Sequence, residues 1–167
     1  MSKRLIPNII TLSNMILGIL SLRYTMNGLY KEAAVSVLFA MVLDGMDGRL
    51  ARHLNVTSDF GKELDSLSDL VSFGVAPALL TYSSVLLNYK FFGLMISIIF
   101  VLCGAVRLAR FNVLNIKEYF VGIPITFAGP LMAIFVLLSN NLPVVFFPVL
   151  MLILAALMVS NIKVPKY

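Results

Sequence analysis

The amino-acid sequence calls for an all-α, polytopic membrane bundle of about six transmembrane helices, folded as a single domain over residues 1–167. Three observations lead there. The chain is 60% hydrophobic and only 13% charged, with a mean hydropathy of +0.97. A water-soluble domain of this length needs far more polar surface, so lipid is the natural solvent of most of the chain. Six apolar stretches, residues 6–26, 32–53, 64–87, 91–113, 122–140 and 143–161, each approach the roughly 20 residues that cross a bilayer. The basic residues are also unevenly shared. Six spans place both termini on one side, and that side holds ten: Lys3, Arg4, Arg49, Arg52, Lys62, Arg107, Arg110, Lys117, Lys163 and Lys166. The other side holds three: Arg23, Lys31 and Lys90.

Basic residues favour the cytoplasm. The expected placement is therefore a multi-pass cell-membrane protein with its termini and residues 44–69 on the cytoplasmic face. The net charge of +5 then reads as orientation plus attraction to anionic head groups of the surrounding membrane lipids, with no nucleic acid needed to explain it.

Each element has its own signals. The start, MSKRLIPNIITLSN, puts basic residues before an apolar run as a signal peptide does. It lacks a convincing small-x-small cleavage site and the pattern recurs along the chain, so it reads as a retained first helix. The breaks fall at Asn27-Gly28, Asn88-Tyr89-Lys90, Lys117-Glu118 and Asn140-Asn141-Leu142-Pro143, all ordinary turn signals. No internal repeat and no interdomain linker is visible. Cys103, the single cysteine, has no intrachain disulfide partner and reads as a small core residue. His53, the single histidine, sits beside Arg52 and reads as a solvated loop residue. Lys163 and Lys166 mark the head-group level.

One window departs from the apolar rule. Residues 44–70, DGMDGRLARHLNVTSDFGKELDSLSDL, hold six of the eight Asp and Glu of the chain. Asp44 and Asp47 are three apart and share a helix face, followed by Gly48, Ala51 and Arg52. Asp65 and Asp69 are four apart on the next helix, with Gly61 four before Asp65. Packing the two helices together brings four carboxylates into convergence. Such a cluster repels itself strongly at low dielectric, and a divalent cation resolves the repulsion. Ligands that are all oxygen, without Cys or His, suit Mg²⁺, Mn²⁺ or Ca²⁺ rather than zinc. Four acids can hold two ions, and an ion pair is a clamp for phosphoryl transfer. Gly48, Ala51 and Gly61 leave room for a bulky ligand near the backbone, and Arg52 can grip phosphate oxygens in a fork. A cation or proton transporter would also place acids in a membrane. It would not account for the spaced Gly, Ala and Arg, and an inverted repeat is missing.

The spacing D-x-x-D-G-x-x-A-R, eight residues, G-x-x-x-D-x-x-x-D is met at every position by Asp44, Asp47, Gly48, Ala51, Arg52, Gly61, Asp65 and Asp69. It resembles the signature of the CDP-alcohol phosphotransferase family, integral membrane enzymes of phospholipid synthesis. PNIITLSN, SDFGKELDSLSDLVSFGVAPA, CGAVRLARFN, FVGIPITFAGP and SNIKVPKY extend the resemblance along nearly the whole chain. Relatives using glycerol phosphate usually carry proline after the third acid and lysine after the fourth. Ser66 and Leu70 stand there instead, which is similar to the branch that uses serine.

The resemblance implies two divalent cations, Mg²⁺ or Mn²⁺, with Ca²⁺ as a non-catalytic occupant. It implies that Asp44 and Asp65 bridge both ions, that Asp47 completes one site and Asp69 the other, and that Asp69 is the general base. Asn8, Thr11, Gly48, Ala51, Arg52, Ser58 and Gly61 would line the site of the CDP-lipid, either CDP-diacylglycerol or ether-linked CDP-archaeol. L-Serine would be the acceptor, giving phosphatidylserine or archaetidylserine and CMP, and the enzyme would be a homodimer. Glycerol phosphate, inositol and inositol phosphate stay open as acceptors. Arg107 and Arg110, three apart in RLARF, read equally as binders of the serine carboxylate or a lipid phosphate and as positive-inside anchors.

Overall fold

The computed structural model describes the backbone of residues 5–54, 58–114, 119–160 and 163–165, and the side chains of residues 7–46, 58–113 and 122–160. The described chain is almost entirely helical, as expected for an all-α protein. Helix α1 spans Leu5–Met26, α2 Tyr30–Leu54, α3 Asp59–Asp69, α4 Ala76–Thr81, α5 Lys90–Leu114, α6 Ile125–Leu137 and α7 Phe146–Val159. A two-stranded antiparallel ribbon, β1 (Tyr119–Val121) on β2 (Lys163–Pro165), joins the segment after α5 to the segment after α7. The sequence pattern did not announce this ribbon.

The turn signals are used as expected. Gly28 adopts φ 73°. Leu29 N–H reaches back to Tyr24 O at 2.9 Å and Gly28 N–H to Thr25 O at 3.0 Å, a Schellman closure that frees the chain to reverse into α2. At the second expected break, Lys90 takes φ 48°. Lys117 and Glu118 lie outside the described residues.

The third apolar stretch begins five residues earlier than expected, at Asp59, because Ser58 caps it: its hydroxyl accepts Gly61 N–H at 3.0 Å. The helix then widens into a π-helical segment at Leu70–Val75, where Ala76 N–H bonds to Val71 O. Pro77 explains the widening, since it has no N–H to give Phe73 O four residues back. Gly129 of α6 lies against the backbone of Phe73, leaving no space for a side chain there. Helical turns continue through Leu87–Tyr89. The chain reverses at Lys90, so α5 packs back along α4 and both neighbouring segments.

Two helical stretches, Pro7–Met26 and Asp59–Val113, are long and apolar enough to cross a membrane, and the second contains the reversal at Lys90. The faces of α1 show what solvent the fold expects. Its buried stripe is small or polar: Thr11, Asn14, Gly18, Ser21 and Thr25. Its exposed stripe is Ile9, Leu12, Ile16 and Ile19, between 44% and 57% exposed. This polarity is inverted relative to a helix on a water-soluble protein. Small residues inside let helices approach closely, and apolar residues outside suit hydrocarbon. On α2, Ala33, Ala34, Val37 and Ala40 have no exposed surface and help pack it against α1 and α6.

Candidate active site

α1 and α3 run side by side. Ser68 Oγ donates to Thr11 O and Ser72 Oγ to Asn14 O, both at 3.0 Å. Gly18 makes the approach feasible, because a Cβ there would sit 2.9 Å from Ser72 Cα. These two serines, four residues apart on one face, fix the height of α3 against α1. About two turns from Ser68 towards the N-terminus of α3, Gly61 is close to both Ser58 and α1: a Cβ on it would lie 3.1 Å from Ser58 Oγ and 3.3 Å from Asn8 Oδ1. Asn8, Ser58 and Gly61, expected at the CDP-lipid site, are thus neighbours. Thr11 is buried on the same face, its hydroxyl donating to Pro7 O at 3.1 Å.

With α3 so placed, Asp65 and Asp69 meet Asp44 of α2. Each of the three offers a carboxylate oxygen, and these oxygens lie within 4.8 Å of one another. Asp69 is buried, at 6% exposure, while Asp44 and Asp65 are half-buried. Three carboxylates this close are a donor set for a hard divalent cation, since their mutual repulsion falls when one binds. The observed cluster fits the metal expected from the sequence. Asp47, Gly48, Ala51 and Arg52 lie on the same helix as Asp44, within Tyr30–Leu54. Their side chains, and that of His53, lie outside the described residues.

The two arginines of α5 part company. Arg107 is buried at 8% exposure, and its charge acts on Asp69. Its Nε has no hydrogen-bond partner. Arg110 points to α7 instead, its Nη1 donating to Val159 O at 3.1 Å. Val159 ends α7, so this bond satisfies one of the carbonyls that a helix C-terminus leaves unpaired. Two further polar groups escaped the sequence reading. Asn112 of α5 bonds to Ser66 and Glu63 of α3. Asn14 is fully buried, and neither of its side-chain polar atoms has a hydrogen-bond partner. Both asparagines lie in stretches that carry the family resemblance, PNIITLSN and CGAVRLARFN. A polar residue inside an apolar helix was the available signal.

The chain belongs to the CDP-alcohol phosphatidyltransferase family, whose model matches residues 4–160. Among its relatives, the CDP-diacylglycerol–serine O-phosphatidyltransferase of Helicobacter pylori J99 is 43% identical over 173 residues, covering 98% of this chain and 73% of the relative. The protein of the same name from Bacillus subtilis 168 is 40% identical, covering 97% of this chain and 90% of the relative. The archaetidylserine synthase of Methanothermobacter thermautotrophicus is 35% identical, covering 96% and 70%.

Proposed function

We propose that this enzyme transfers the phosphatidyl group of CDP-diacylglycerol, or its ether-linked counterpart CDP-archaeol, to the hydroxyl of L-serine, releasing CMP. The observation that carries the reading is the meeting of Asp44, Asp65 and Asp69 beside a buried arginine whose charge acts on Asp69. The names of the relatives point the same way.

Asp44, Asp47, Asp65 and Asp69 would hold two divalent cations, Mg²⁺ or Mn²⁺. When bound, these would neutralise the pyrophosphate and favour CMP as the leaving group. The nucleotide end of the lipid lies along Asn8, Thr11, Gly48, Ala51, Arg52, Ser58 and Gly61. Ser58 accepts a bond from Gly61 N–H, which leaves its O–H free to donate to a phosphate oxygen. Asp69 takes the proton of the serine hydroxyl as its oxygen bonds to the lipid-side phosphorus and the bond from phosphorus to CMP breaks. Arg107 binds the serine carboxylate. Arg110 holds α5 to α7 through Val159 O.

The lipid-facing residues of α1 and the six apolar stretches support a multi-pass membrane protein with the acidic end towards the cytoplasm, working as a homodimer. The test is CMP release by the purified protein with CDP-diacylglycerol and Mn²⁺ or Mg²⁺, comparing L-serine, glycerol 3-phosphate, inositol and inositol phosphate. Release with serine alone is expected. Release with another alcohol would keep the family chemistry and replace the acceptor.

A further inference from the structure

The carboxylates and Arg107 sit on different helices, so something must set α5 against α3 at the acidic end. Among the described residues, apolar side chains there are largely exposed: Phe60 and Leu67 of α3 are 69% and 58% exposed, and Val113 of α5 is 81% exposed. The buried residues of α3 are Ser68 and Asp69, both polar. What joins the two helices is a polar clasp. Asn112 Nδ2 donates to Glu63 Oε1 at 3.2 Å and to Ser66 Oγ at 3.1 Å, and Ser66 Oγ lies 3.3 Å from Asn112 Oδ1, to which it can donate. An amide suits this position because it donates to the carboxylate and both gives to and takes from the hydroxyl. The antiparallel register continues inwards. Three residues on from Ser66 is Asp69, and five back from Asn112 is Arg107, the two charges that act on each other.

We infer that Asn112, clasped by Ser66 and Glu63, is the positioning residue that sets Arg107 at Asp69 and thereby tunes the site to the carboxylate of the acceptor. This rests on the serine-transfer reading above. The residues proposed for the CDP-lipid belong to α1, α2 and the start of α3, whereas Arg107 belongs to α5. Loosening α5 therefore weakens the acceptor's site and leaves the lipid's in place.

Steady-state CMP release by Ser66→Ala, Ser66→Thr and Asn112→Asp tests it, with L-serine and CDP-diacylglycerol varied separately and melting in detergent followed alongside. Ser66→Ala removes the shared hydroxyl, and the serine KM is expected to rise about fivefold, the size of one hydrogen bond. Its KM for CDP-diacylglycerol should stay within about twofold of wild type. Ser66→Thr keeps the hydroxyl and should restore the serine KM. Asn112→Asp sets a carboxylate against Glu63 and should raise the serine KM about tenfold or more. The inference is overturned by an unchanged serine KM in Ser66→Ala and Asn112→Asp, by a parallel rise for both substrates, by Ser66→Thr behaving like Ser66→Ala, or by Ser66→Ala failing to fold, each of which makes the clasp merely structural or idle. Wild-type enzyme in the same assay separates the two readings. If it ignores serine, the proposed acceptor is wrong. If it uses serine and the variants match it, only the clasp is wrong.

Discussion

Along α2, Ala33, Ala34, Val37 and Ala40 have no exposed surface, whereas Met41, Val42, Gly45 and Met46 are open and flank Asp44. The same contrast runs through the next helical segment. Its inner part presses Phe73 against Gly129, while α3 buries little besides Ser68 and Asp69. The inner region is held by shape: small residues let backbones touch, and any added bulk must push a helix away. The acidic end trades close packing for access. It keeps its helices together with hydrogen bonds and gathers three carboxylates where a cation can be held. A change in the first region should therefore read out as stability, and a change in the second as turnover.

The largest effect should come from Asp69→Asn. It keeps the size of the side chain and removes the base, so CDP-lipid binding should persist while kcat falls by about a hundredfold to ten-thousandfold. Wild-type turnover by the purified variant would remove Asp69 from the base role. Arg107→Ala should raise the KM for serine about tenfold or more, the cost of losing a charged hydrogen-bonding partner, and change that for CDP-diacylglycerol far less. Equal effects on both substrates would mean that Arg107 only supports the fold. Arg110→Ala sharpens the contrast, since loss of the bond to Val159 O should lower the melting temperature before it alters either KM.

The inner region is probed by Gly18→Val. Its Cβ would fall 2.6 Å from Ser72 Oγ and 2.9 Å from Ser72 Cα, so α1 must move off. A loss of about 1–3 kcal/mol of stability is expected in chemical unfolding. An unchanged unfolding midpoint would mean that the two helices do not meet there. Ser72→Ala is the mildest test, because it removes one interhelical hydrogen bond, worth about 0.6 kcal/mol in a membrane protein. Activity should stay near wild type. A large loss of kcat with little loss of stability would show that the height of α3 on α1 is set by that serine and feeds directly into the site.

Much of this was readable from the residues alone. Hydropathy marks the apolar stretches because the cost of burying polar groups in lipid is paid residue by residue. Helical spacing places Asp65 and Asp69 on one face because the turn length is fixed by backbone geometry. The fixed gaps around Asp44, Gly48 and Arg52 carry the family resemblance, and Gly28 and Lys90 stand at expected turns. These are local properties, so local sequence suffices.

The rest depends on which helix lies against which. Arg107 and Arg110 are near neighbours in one motif and read alike in sequence, yet the charge of one acts on Asp69 and the other bonds to the end of α7, because three residues shift a side chain about 60° around the helix and about 4.5 Å along it, enough for two long side chains to reach different neighbours. The clasp of Asn112 on Ser66 and Glu63 joins residues almost fifty positions apart, and nothing in either segment names the other. The approach of Gly129 to the Phe73 backbone likewise joins two distant segments. The meeting of Asp44 with Asp65 and Asp69 was foreseen in kind. Its closeness follows from Ser68 and Ser72 locking α3 to α1, a contact between distant segments that forms only when the helices pack.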